Sequence, residues 1–86
     1  MNVTHLCNIF FCRGFCSDGK GGLRSPHFQE FGEVREGLTF NPTQKKLFFV
    51  SVGEGSSLTI SVDVSQCTSI ENVYELLGKA IFEYSL

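Results

Sequence analysis

No apolar run in this 86-residue chain exceeds four residues, far short of the roughly 18 that a bilayer-crossing helix needs. No membrane span is expected. Basic residues are also scarce: seven Lys and Arg stand against nine Asp and Glu, the formal charge is −2, and no basic stripe forms along the chain. Nucleic-acid binding through phosphate neutralisation is therefore disfavoured. The N-terminus lacks the basic start of an export signal, and Asn2, Thr4, His5 and Asn8 interrupt the apolar stretch that such a signal requires. The expected compartment is the cytoplasm, where Cys7, Cys12, Cys16 and Cys67 are thiols rather than disulfides. Internal repeats and low-complexity segments are missing too, so residues 1–86 read as a single domain.

What is present is a foldable composition. Hydrophobic residues make up 42% of the chain and charged residues 19%, a balance that excludes intrinsic disorder. Surface scaling gives a folded area of roughly 5,100 Å² against about 13,900 Å² unfolded. That supports one core between two layers of secondary structure and leaves little scaffold for a preorganised catalytic site.

Residues 3–12 mix β-branched and aromatic side chains with apolar groups on both alternating faces, and read as a strand buried on both sides. The cluster Asp18, Gly19, Lys20, Gly21, Gly22 and Ser25 marks the main loop. Ser25 before Pro26 would cap a short helical turn carrying Phe28 and Phe31 on one side, ended by Gly32. Three strands follow at 36–40, 46–52 and 58–64, separated by Asn41-Pro42-Thr43 and by the Gly53–Ser56 turn. The last alternates cleanly, Leu58, Ile60, Val62 and Val64 against Thr59, Ser61 and Asp63. In 46–52, Leu47 and Phe49 face one way and Phe48, Val50 and Val52 the other, which marks a central strand. Thr68 and Glu71 form a capping box ahead of Ile70, Val73, Tyr74, Leu77, Ile81 and Tyr84 at helical spacing. Gly78 inside that helix would be explained by a close approach to the sheet. Residues 60–77, a strand passing through Asp63 into this capped helix, resemble the opening strand and helix of barstar-type inhibitors; the likeness spans under a quarter of the chain and implies no more than that strand-to-helix unit.

The expected fold is α+β: an antiparallel β-sheet of about four strands, the N-terminal strand plus a three-stranded meander, with one C-terminal amphipathic helix packed on one face. Three chemistries compete for its function. A zinc site would draw on Cys12, Cys16 and His27, of which only Cys12 and Cys16 have knuckle-like spacing. An anion or nucleotide site would use Gly19, Lys20, Gly21 and Arg24, although Gly21 stands where a phosphate-binding loop places the Mg²⁺-holding hydroxyl. The third is protein binding, because nine phenylalanines exceed what one helix can cover. Phe48, Val50, Val52, Phe10 and Phe15 are its candidate contacts. The preferred reading is a non-enzymatic inhibitor or adaptor that needs no cofactor, works as a homodimer and occupies the surface of an unidentified protein partner. A ligand or zinc binder built on residues 12–24 is the alternative.

Overall fold

In the computed structural model, which describes residues 3–86, a six-stranded antiparallel sheet carries both helices on one side. The chain runs α1 (Val3–Phe11), β1 (Cys16–Ser17), β2 (Leu23–Arg24), β3 (Gln29–Phe31), β4 (Val34–Asn41), β5 (Lys46–Gly53), β6 (Ser56–Asp63) and α2 (Ile70–Ser85). Strand order is β1-β2-β4-β5-β6, with β3 beside β2 on the same flank of β4. The α+β class holds, with six strands rather than four and a second helix.

That second helix corrects the reading of residues 3–12 as a strand. Leu6, Cys7 and Phe10 lie within one turn of each other, so one helical stripe delivers Leu6 and Phe10 to a common core. Phe10 then stacks on Phe15, ring centroids 4.9 Å apart, and on Phe40 at 4.5 Å. These aromatic pairs favour the helix more than β-propensity opposes it.

The meander arises from local turn chemistry. Lys45 at φ 53° completes the β4–β5 loop, in which the Asn41 side chain accepts a bond from the Gln44 N–H at 3.0 Å. Glu54 and Gly55 form the two-residue β5–β6 turn, Gly55 adopting φ 75°. As expected, β5 is central, paired with β4 over Asn41↔Lys46 to Arg35↔Val52 and with β6 over its whole length.

The opposite flank is pieced together. Of the expected helical turn at 25–31 only a single hydrogen-bonded turn at Pro26 and His27 forms, the Phe28 N–H donating to the Ser25 carbonyl at 3.1 Å, and residues 29–31 are the strand β3. Ser25 holds the break: its N–H donates to the Leu38 carbonyl at 2.9 Å and its hydroxyl accepts from the Leu38 N–H at 3.2 Å. Those two bonds continue the pairing that Pro26 interrupts.

The α2 helix begins one residue later than the Thr68 capping box implies. Ser69 is the N-cap and accepts from the Asn72 N–H, while Thr68 donates its N–H and hydroxyl to the Asn72 side-chain oxygen. Ile70, Val73 and Leu77 are buried; Tyr74 and Tyr84, placed on the same stripe by spacing, are exposed. Gly78 meets nothing within 4 Å of where a Cβ would stand, so close approach does not account for it.

Registers divide the sheet into two faces. Leu38, Phe40, Leu47, Phe49, Ile60 and Val62 face the helices. The molecule measures 38 × 33 × 19 Å and exposes 5600 Å², above the area of roughly 5,100 Å² typical of its mass. A thin, one-sided architecture accounts for the excess. Among the described residues no helix is long and apolar enough to cross a membrane.

Candidate functional site

Among the described residues the other side of the sheet has no helix. Thr39↔Phe48↔Ser61, Gly37↔Val50↔Thr59 and Arg35↔Val52↔Ser57 form three rows across β4, β5 and β6, so Phe48, Val50 and Val52 run down its centre, half-buried and flanked by small polar residues. β5 places them there because it alternates apolar residues on both faces.

Phe28 joins this face through a glycine. Gly37 adopts φ 148°, and a Cβ on it would stand 2.6 Å from Phe28 Cδ2 and 2.9 Å from Phe28 Cα, so the ring lies against the sheet only because Gly37 has no side chain. The guanidinium carbon of Arg24 sits 4.8 Å from the Phe28 ring centroid and that of Arg35 5.9 Å. Arg24 also pairs with Glu30 at 3.0 Å. The result is an aromatic ring with two cations close to it, beside an apolar row.

At one end of the face a cleft of about 230 Å³ opens between the β1–β2 loop and the β4–β5 loop, lined by Asp18, Lys20, Thr39, Asn41, Thr43 and Phe48 among others. The loop that shapes it is organised by Asp18. One carboxylate oxygen accepts from the Lys20 N–H at 2.7 Å and from the Gly22 N–H at 3.0 Å, while Ser17 Oγ accepts from Gly19 N–H at 3.2 Å. The bonds from Lys20 and then Gly22 hold the Asp18 carboxyl below the usual carboxylate range.

These bonds bear directly on the anion reading of Gly19, Lys20, Gly21 and Arg24. The N–H groups of Gly19 and Lys20 that would cradle an anion already serve Ser17 and Asp18. Arg24 is engaged with Glu30 and Phe28. The ionised Asp18 adds a charge of the wrong sign. The zinc reading fares no better. Cys12, Cys16 and His27 are all exposed, and among the described residues no three His, Cys, Asp or Glu side chains are grouped to hold a metal. All four cysteines are free thiols; the buried Cys67 has its pKa raised by desolvation and secondarily by Asp63.

Of the five residues singled out for protein binding, the sheet brings Phe48, Val50 and Val52 together on the open face. Phe10, at 0% exposure, and Phe15, at 3%, are core residues and cannot meet a partner in this fold. Their burial follows from the correction of residues 3–11 to a helix, whose inner stripe ends on Phe10. Phe28, Arg35 and Asp18 escaped sequence reasoning, and only Gly37 gave a signal, a glycine inside an otherwise regular strand. No protein-family model matches the chain, and neither curated proteins nor solved structures yield a significant match.

Proposed function

We propose that this chain is a non-enzymatic protein-binding domain, an inhibitor or adaptor working as a homodimer, that docks a partner protein on its helix-free sheet face. The observation supporting this reading is the row Phe48, Val50 and Val52 lying uncovered beside Phe28 and its two arginines. Interfaces favour this composition: aromatic and aliphatic anchors, arginine close by, and hydroxyl-bearing residues at the margin. Ser57, Thr59, Ser61 and Thr39 supply the margin here.

The test is a paired substitution. Val50→Lys puts a charge at the centre of the face without entering the core, and Tyr74→Lys puts the same charge on an exposed residue of α2 outside that face. Partner recovered with the unaltered protein from cells that produce it should be lost with Val50→Lys, at unchanged circular dichroism, and kept with Tyr74→Lys. Retention by Val50→Lys would refute the face.

A further inference from the structure

The two flanks of the sheet differ in how they end. The β1/β2/β3 flank consists of strands of two, two and three residues broken at Pro26, a form that resists further pairing. On the other flank β6 is eight residues long, in uninterrupted register with β5, and has no proline, lysine, arginine or bulge. Its single charge is Asp63, at the very end.

Which backbone groups β6 leaves open follows from the turn. The two-residue loop makes Gly53↔Ser56 a hydrogen-bonded pair, so Ser56, Leu58, Ile60 and Val62 bond to β5, while Ser57, Thr59, Ser61 and Asp63 aim their N–H and C=O groups away from it. Water satisfies such a row one group at a time, and another strand satisfies it along its whole length. Beside its end lies a groove of about 260 Å³ between β6 and α2, lined by Val62, Asp63, Leu76, Lys79, Ala80 and Glu83. Leu76, Ala80 and Val62 give it an apolar floor.

We infer that a second copy of this chain pairs antiparallel along β6, about a two-fold axis at Ile60, to form one continuous twelve-stranded sheet. This deepens the homodimer half of the proposed function and is independent of the partner-binding face. The register selects the occupant. With Ile60 opposite Ile60, Leu58 stands opposite the second copy's Val62, on the helix side, and is carried into the groove formed by Val62, Leu76 and Ala80. The two-fold axis repeats the insertion in the other direction, so one strand supplies both projection and recess. Thr59 pairs with Ser61 as the hydrogen-bonded neighbour, and Asp63 faces Ser57 rather than another carboxylate. The open faces of both copies stay on the same side and remain available to partners.

Sedimentation equilibrium of the whole protein, combined with an isotope-filtered NOE experiment on a mixed-label sample, tests this. The expected results are a dimer at micromolar concentration and an intermolecular Hα–Hα contact between Leu58 and Val62, two residues too far apart along one strand to give it within a copy. Thr59→Pro, which removes an outward N–H, and Ala80→Arg, which fills the groove from the helix without touching the strand, should each raise the dissociation constant at least about tenfold. Val50→Lys should not. Should Thr59→Pro fail to fold, Ala80→Arg decides. A monomer at all concentrations would overturn both this inference and the homodimer reading. A dimer unaffected by Ala80→Arg and lacking the NOE would overturn this interface while leaving a homodimer by another surface.

Discussion

The two faces of one sheet share the alternation of apolar residues along β5, yet one carries the core and the other does not. On the helix side Leu47 is fully buried beneath α1 and α2, together with Phe40, Phe10 and Val73. On the other side Phe48, its immediate neighbour in sequence, remains half-buried because no element crosses above it. Apolar character alone therefore does not decide burial. The helices decide it: α1 through Leu6 and Phe10, and α2 through Ile70, Val73 and Leu77, pack into the one core that Phe40 and Leu47 line. A face rich in apolar groups that its own chain does not cover is suited to covering by another molecule.

Substitutions in the core and on the open face separate the two sides energetically. Phe10→Ala should cost about 4 kcal/mol, and Leu47→Ala about 3 kcal/mol, as large-to-small changes in a packed core. Val50→Ala, on the open face, should cost roughly 1 kcal/mol or less. Urea unfolding of the three variants checks this, and similar losses at Leu47 and Val50 would mean that the faces are not energetically distinct.

Next in size is Gly37→Ala, which joins the two effects that set Phe28 on the open face. The new Cβ would both collide with Phe28 and require a left-handed φ of 148°, for a loss of about 2 to 3 kcal/mol. The double variant with Phe28→Ala should recover part of that loss, because the collision disappears and the backbone strain does not. Thermal unfolding of the single and double variants reads the difference.

Gly78→Ala has the opposite sign. Its position in α2 is exposed and has open space for a methyl group, so the substitution should stabilise by about 1 kcal/mol through helix propensity alone. A rise in melting temperature of roughly 4 to 8 °C is the expected reading.

The meander and the C-terminal helix were legible in the sequence because their signals are long and regular. Residues 58–64 alternate without interruption, and α2 repeats its apolar positions through four turns behind a polar cap. Residues 3–11 were not legible, since nine residues that are apolar at 3, 6, 7, 9, 10 and 11 satisfy both periods in part. What separates them is tertiary: Leu6 and Phe10 must reach the core that Phe15 and Phe40 share. β2 and β3 are too short for any period, and their pairing depends on the Ser25 side chain replacing a main-chain contact across thirteen positions to Leu38. The central row of the candidate face was readable from β5 alone. Its aromatic flank was not, because Phe28 reaches the sheet through a glycine on a different strand.

Smaller effects distinguish the chemistry of the polar end. The folded-state pKa of Asp18 is depressed, so its bonds to Lys20 and Gly22 contribute stability above the unfolded value of roughly 4 and lose it as pH falls through the folded value. Asp63, held down mainly by Ser65, behaves in the same sense. Asp18→Asn should therefore flatten the acid limb of the stability curve while leaving neutral-pH spectra unchanged. Alkylation followed by mass spectrometry should modify the exposed Cys12 and Cys16 first, and the buried Cys67, whose thiol is pushed up in pKa, only on unfolding.

Whether the helix-free face receives a partner is read by hydroxyl-radical footprinting of the protein free and in its purified complex. Protection of Phe28, Phe48, Val50 and Val52, with the exposed Phe82 on α2 still oxidised, is the predicted result. Unchanged oxidation at those four residues, with protection appearing over α2 instead, would contradict it.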